Sequence, residues 1–340
     1  YVSGGIGRKY SLVVAAILFI LSALGSAFPE FLFFEKGQPT IALLITFNLY
    51  RIIGGIGVGL ASAVVPMYIG ELAPPKIRGT LVSLNQFAIV LGMLVVYFVN
   101  WGIGNGQSIE WINDVGWRYM FLSEVVPAGL FLLLLFTVPE TPRYLVLKNK
   151  DNKAMDVLNK IYDTTFAKAT MFEIKKSFDV NKAKLFAYGK GVIVIGILLS
   201  VFQQFVGINV ALYYAPRIFE SMGAGRDASM VQTIVMGLVN VVFTLIAIFA
   251  VDKFGRKPLL IIGSIGMTVG MFGVGTLAFL GAIGVGTLIC IVIYTASFMM
   301  SWGPVVWVLL SEIFPNKIRG QAMAIAVAAQ WGANYFISST

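Results

Sequence analysis

Six uncharged amides interrupt apolar stretches of this chain: Gln86, Gln203, Gln204, Asn209, Asn240 and Gln330. Amide groups in an apolar surround need hydrogen-bond partners. A hydroxylated ligand suits them, because each hydroxyl both donates and accepts, as an amide side chain does. Tyr213 lies four residues after Asn209 and shares its helical face. Gln203 lies within about 80–120° of that face, with Gln204 further round; a kink at Gly207 would reconcile them. Trp302-Gly303-Pro304-Val305-Val306-Trp307 breaks a second apolar run, and Trp331 follows Gln330. Flat aromatic faces suit the C–H face of a sugar ring. The competing explanation is that these amides glue helices together. Their clustering with tryptophans and broken helices favours a cavity.

Arg51 opens the stretch Arg-Ile-Ile-Gly-Gly-Ile-Gly-Val-Gly. A charge at such a place costs about 2.5–3.5 kcal/mol or more and requires a partner. Glu124 sits about two turns inside a later apolar run. An Arg51–Glu124 pair could take up and release a proton; alternatively Arg51 snorkels to an interface and Glu124 is its structural partner. Gly55 and Gly59 share the Arg51 face, where small residues would admit a neighbouring helix. A further charge set comprises Glu71 with Arg78, Glu140 with Arg143, Asp252 with Arg256, and Glu312 with Arg319. Exposed pairs are worth about 0–1 kcal/mol each, yet as a network they could bias a two-state equilibrium of a few kcal/mol.

The elements that must hold these residues are long helices. A membrane span needs about 20 mostly apolar residues. Candidate spans cover roughly 11–33, 41–69, 79–101, 117–138, 191–220, 228–251, 257–281, 284–311 and 320–340. Charged residues make up 12% of the chain and hydrophobic ones 58%, against about 25% and 45–50% in soluble domains. The chain therefore reads as an all-α integral membrane protein. Its net charge of +9 does not call for a nucleic acid, because the basic residues are sided. Arg8, Lys9, Lys76, Arg78, eleven Lys/Arg from Arg143 to Lys190, Lys253, Arg256, Lys257, Lys317 and Arg319 share one set of alternate connections. Lys36, Arg118, Arg217 and Arg226 lie on the other. The basic side is cytoplasmic, and the lipid bilayer is the surrounding partner. Between residues 140 and 190, Ala154, Val157, Leu158 and Ile161 recur at helical spacing, which predicts amphipathic helices on that surface.

The chain repeats itself. Glu71-Leu-Ala-Pro-Pro-Lys-Ile-Arg-Gly79 returns as Glu312-Ile-Phe-Pro-Asn-Lys-Ile-Arg-Gly320, and Gly7-Arg8-Lys9 returns as Gly255-Arg256-Lys257. The offsets, 241 and 248 residues, indicate one large unit duplicated in parallel, a common plan for membrane transporters. Residues 1–139 read as a partial N-terminal half, 140–190 as a cytoplasmic linker and 191–340 as a partial C-terminal half. The repeat predicts two further helices before Tyr1 and about 40 residues after Thr340, so that the chain holds the third to eleventh helices of a twelve-helix plan. It contains no histidine and one cysteine. That removes His-based metal sites, Ser-His-Asp triads and an internal disulfide. With no paired catalytic carboxylate either, an enzyme is the least favoured class. Neither a cofactor nor a metal is called for, and a monomer is expected.

At these residues the chain resembles the sugar porter family of the major facilitator superfamily. The carrying segments are residues 51–59, 66–79, 139–143, 202–214, 252–258, 301–320 and 328–331. Pro-Glu-Thr-Pro-Arg (139–143) and Gln-Gln-Phe-Val-Gly-Ile-Asn (203–209) are its specific signatures. The resemblance implies a fold of two parallel six-helix halves. It implies sugar contacts at Gln86, Gln203, Gln204, Asn209, Tyr213, Asn240, Gly303, Trp307, Gln330 and Trp331. It further implies that Glu71, Arg78, Glu140, Arg143, Asp252, Arg256, Glu312 and Arg319 form a cytoplasmic latch, and that the arginine matching Arg51 pairs with a proton-linked Asp in the first helix. Two departures stand out. Met93 replaces a second glutamine seven residues after Gln86 that accompanies xylose recognition. Gly5 replaces one latch arginine. The function implied is secondary active transport of a neutral monosaccharide, D-xylose or a related pentose or hexose, by proton symport and alternating access in the cell membrane. A passive facilitator and a transporter-like sugar receptor are the alternatives.

Overall fold

The computed structural model describes residues 5–30, 40–178, 185, 186, 188–221, 223, 225–315 and 318–339, without the side chains of 226, 227 and 252. Among the described residues all regular structure is helical. Eight helical stretches are long and apolar enough to cross a membrane: Arg8–Ala27, Ile41–Leu72, Pro75–Gly104, Ile109–Thr137, Lys190–Tyr213, Ala228–Val251, Arg256–Phe279 and Val285–Ile313. The ninth expected span is also a helix, Arg319–Ser339, but alanines, Gln321, Gln330 and Asn334 make it less apolar than the eight. Exposed Val126, Leu133 and Phe136 show the faces that lipid solvates, since every backbone group is already satisfied inside its helix.

The chain forms two compact units, one from residues 1–74 and 102–182, the other from 75–101 and 183–340. In the first, α1 (Arg8–Ala27) packs along α2 (Ile41–Leu72). The contact is closest where glycines lie: a Cβ on Gly25 would overlap the Tyr50 ring, one on Gly54 would overlap Ser22, and one on Gly57 would sit 3.0 Å from Phe19. The glycines expected to admit a neighbour, Gly55 and Gly59, instead meet nothing within 4 Å. The α1 contact falls on the adjacent face, about 100° away per residue. Leu12, Ala16, Val64 and Leu135 form the buried core beneath. The π-helical stretch Ile112–Gly116 leads into α4 (Trp117–Ser123) and α5 (Val125–Thr137). Three short helices follow: α6 (Pro142–Leu147), α7 (Asp151–Ile161) and α8 (Thr164–Phe178). The predicted apolar face of α7 is the one that packs, with Ala154, Val157 and Leu158 buried against Leu145, Ala167 and Met171.

The second unit contains α3 (Arg78–Gly104), α9 (Lys190–Phe205), α10 (Ile208–Tyr213), α11 (Ala215–Ser221), α12 (Arg226–Phe254), α13 (Arg256–Phe279), α14 (Val285–Met300), α15 (Trp302–Ile313) and α16 (Arg319–Ser339). Two spans are broken within it. Gly207 has φ 81°, a left-handed conformation that L-residues avoid, and there α9 gives way to α10. Ser301 (φ −133°, ψ −86°) separates α14 from α15. Pro304 removes another helical N–H. Glycines bring α13 against α14: a Cβ on Gly270 would lie 2.8 Å from the Cys290 carbonyl oxygen and from Tyr294.

Candidate functional site

Amide side chains gather beside the breaks at Gly207 and Ser301. Gln203, on the last turn of α9, is buried. Its Nε2 donates to the carbonyl oxygens of Trp302 (2.9 Å) and Gly303 (3.1 Å). Its Oε1 accepts from Gln330 Nε2 of α16 at 2.9 Å and from Gln204 Nε2 at 3.5 Å. Asn209, just past the Gly207 break, donates to Gln204 Oε1 (2.6 Å) and to Asn334 Oδ1 (2.8 Å). Asn334 Oδ1 also accepts from Ser338 Oγ at 3.3 Å. Gln86 of α3 reaches the same place: a Cβ on Gly303 would lie 3.4 Å from its Nε2. One amide network thus joins α9, α10, α15 and α16, with α3 beside it.

Its membership follows from the sequence only in part. Gln86, Gln203, Gln204, Asn209, Gly303 and Gln330 are brought together, with Tyr213 one turn after Asn209 on α10. Asn334 is the member whose role was missed, although it lies one turn beyond Gln330 on the same face. Trp307 is buried, Trp331 is 36% exposed and Tyr213 55% exposed. Asn240 is buried in α12, and among the described residues no hydrogen bond ties it to the network. Among the described residues three buried amide oxygens have no hydrogen-bond partner, and two of them, Asn240 Oδ1 and Gln330 Oε1, belong to the residues singled out in the sequence. A buried acceptor left unpaired costs about 1–3 kcal/mol. Met93 packs against the apolar cluster around Val90, Tyr294 and Phe298.

In the first unit, Arg51 Nη1 and Glu124 Oε2 are 3.7 Å apart, each side chain 44% exposed. That separation exceeds the roughly 2.7–2.9 Å of a charge-assisted hydrogen bond, so the two form an ion pair without a direct hydrogen bond. Arg51 also lies over the Phe121 ring, 5.0 Å from its centre. Another carboxylate in this unit is far more buried. Glu30, 5% exposed, pairs with both terminal nitrogens of Arg118. Arg118 also donates to the Ala27 carbonyl and stacks on Trp117. Both residues lie near the ends of candidate spans, roughly 11–33 and 117–138, where the sequence reading singled out Glu124 alone.

The charge set expected on the cytoplasmic side pairs differently from local spacing. Glu71 accepts from Arg8 at 2.8 and 3.2 Å. Burial pushes the Arg143 guanidinium below its ordinary pKa, and the nearby Glu71 carboxylate opposes that shift. Glu140 accepts the backbone N–H groups of Arg8 (3.1 Å), Lys9 (3.0 Å) and Thr141 (2.8 Å). It thereby caps the positive N-terminus of α1 rather than serving Arg143 alone. Gly7 makes this possible, because at φ 101° a Cβ there would strike the Glu140 carboxylate. In the second unit Arg256 donates to Glu312 at 2.8 and 3.3 Å. Arg319 donates to the Phe314 carbonyl at 3.2 Å, while the buried Arg78 Nε finds no acceptor. The Asp252 side chain lies outside the described residues.

Known proteins resemble this chain in sequence and in fold. The profile of a family described as "Sugar (and other) transporter" matches residues 1–340. The D-xylose-proton symporter of Escherichia coli (strain K12) is 55% identical over 350 residues, covering 100% of this chain and 71% of that protein. The glucose facilitated diffusion protein of Zymomonas mobilis is 42% identical over 336 residues, covering 98% of this chain and 70% of that one. A solved structure of the major facilitator superfamily proton:xylose symporter XylE, bound to 6-bromo-6-deoxy-D-glucose, superimposes with a TM-score of 0.92 at 54% identity, over 99% of this chain and 73% of that chain. The chain is a multi-pass membrane protein with the major facilitator fold and belongs to the sugar transporter family.

Proposed function

We propose that this protein carries a neutral monosaccharide, D-xylose or a related pentose or hexose, across the cell membrane together with a proton. Residues 1–139 and 191–340 act as the two halves of an alternating-access carrier, joined by the 140–190 linker, in a monomer. The observation that carries this reading is the buried amide network with its unpartnered Gln330 Oε1, together with the separate unpartnered Asn240 Oδ1 of α12. Each calls for a hydrogen-bond donor, which a sugar hydroxyl supplies and an anion does not. Gln86, Gln203, Gln204, Asn209, Tyr213, Gly303, Trp307 and Trp331 are assigned to the same sugar site. The identity to a D-xylose-proton symporter over the whole chain supports the sugar and the proton alike. Arg51 and Glu124 are assigned to proton coupling, since an ion pair without a direct hydrogen bond leaves the carboxylate free to exchange a proton.

A second reading is passive facilitation, favoured by the 42% identity to a glucose facilitated diffusion protein. Reconstituted protein separates the two. Addition of D-xylose, then D-glucose, without an ion gradient is expected to bring labelled sugar and acid into the vesicles together. Sugar entry without acidification would make the protein a facilitator. Binding of either sugar without entry would make it a receptor.

A further inference from the structure

We infer that Trp302 is a positioning residue of the sugar site: α13 grips its indole, and its main-chain carbonyl holds the Gln203 amide in place. The inference rests on the assignment of Gln203 to that site. Trp302 follows the break at Ser301, where α14 ends. Trp302 is the first residue of α15, so its carbonyl and that of Gly303 point along that helix, and where they stand depends on how the helix start is held. Here the hold comes from α13. Trp302 Nε1 donates to Ser264 Oγ at 2.9 Å and to the Leu260 carbonyl oxygen at 3.2 Å. Ser264 Oγ itself donates to the same Leu260 oxygen at 2.8 Å. The indole N–H, a hydroxyl and a carbonyl therefore close a three-membered cluster on one turn of α13. The helix backbone can come this near because residue 263 is glycine: a Cβ there would overlap the Ser301 side chain and stand 3.1 Å from the Ser297 carbonyl oxygen.

From that anchor the chain of hydrogen bonds runs inward. The Trp302 and Gly303 carbonyls accept from Gln203 Nε2, and Gln203 Oε1 accepts from Gln330. With its donor side engaged twice and its oxygen engaged by Gln330, Gln203 has one orientation. Gln330 is then left with its own oxygen buried and unpartnered. Ser264 Oγ bonds only Trp302 and the Leu260 carbonyl among the described residues, yet it controls how the network amides present themselves. A phenylalanine at 302 would keep the ring and lose the anchor.

The test is equilibrium binding of D-xylose and D-glucose to the purified protein, with uptake kinetics in proteoliposomes. Ser264→Ala and Trp302→Phe are each expected to weaken binding about three- to tenfold, the range of one net hydrogen bond, raising KM more than they lower Vmax. The double variant should bind no more weakly than Trp302→Phe alone, because both act through one path. Ser264→Thr, which retains the hydroxyl, should restore binding. On a Gln203→Ala background, Trp302→Phe should add no further loss. If Gln203→Ala loses affinity while Ser264→Ala and Trp302→Phe bind normally, the positioning role is wrong and the sugar site stands. Losses that add to Gln203→Ala would equally remove the role. If Gln203→Ala itself binds normally, the sugar site falls, and this inference with it. Ser264→Ala alters a single oxygen, so the test survives even if Trp302→Phe folds poorly.

Discussion

Arg8 grips Glu71 through two hydrogen bonds, and their sequence duplicates, Arg256 and Glu312, make the same contact, each closing to 2.8 Å. The internal repeat is therefore a repeat of structure. The copies differ in burial: the first pair is 14% and 15% exposed, the second 28% and 45%. Removing one partner of a fully buried pair costs about 3–5 kcal/mol, whereas an exposed pair is worth about 0–1 kcal/mol. Glu71→Gln is expected to destabilise the protein by about 2 kcal/mol and Glu312→Gln by less than about 1 kcal/mol. Thermal unfolding in detergent checks the order; equal shifts would refute the burial argument.

Asn240 distinguishes a cavity from helix glue. Its Oδ1 is buried without a partner, so an apolar replacement of similar size relieves a penalty of about 1–3 kcal/mol. Asn240→Leu should leave the unfolding temperature unchanged or raise it, while D-xylose binding weakens. A drop in stability with normal binding would make Asn240 structural.

Gln330 bridges α16 to Gln203 and keeps an oxygen free. Gln330→Ala should weaken sugar binding by about 1–3 kcal/mol, seen as a raised dissociation constant by calorimetry. Unaltered affinity would remove Gln330 from the site.

Glu124 is the candidate proton carrier, at 3.7 Å from Arg51. Glu124→Gln should abolish sugar-driven acidification of vesicles and leave sugar binding within about twofold. Its effect on stability should stay within about 1 kcal/mol, as for any half-exposed pair. Acidification at the normal rate would return the pair to a structural role.

Adjacent glycines in α2 should respond with opposite signs. Gly54 is covered by Ser22, whereas Gly55 meets nothing within 4 Å. Gly54→Ala should cost about 1–3 kcal/mol through overpacking. Gly55→Ala should gain up to about 1 kcal/mol of helix propensity. Thermal unfolding of the two variants is the measurement; similar shifts would mean that α1 and α2 do not pack as described.

The sequence by itself determined the membrane spans, the duplication and the amides destined for a polar interior, and it set an expectation for the cytoplasmic side. These are local properties: about 20 apolar residues suffice to span, charge counts decide sidedness, and an amide in an apolar run needs a partner wherever the helix goes. Even the Gly207 kink was legible, because only glycine readily takes that backbone conformation. Which groups meet was decided by tertiary structure alone. Gln203 meets Gln330, Asn209 meets Asn334, Trp302 meets Ser264 and Glu71 meets Arg8 across separations of 127, 125, 38 and 63 residues. In lipid, apolar faces are solvated as well outside the bundle as within it, so hydrophobic pattern barely distinguishes one helix neighbour from another. Close backbone approach at small residues makes that choice, and the distinction between Gly54 and Gly55 exists only once α1 has chosen its side.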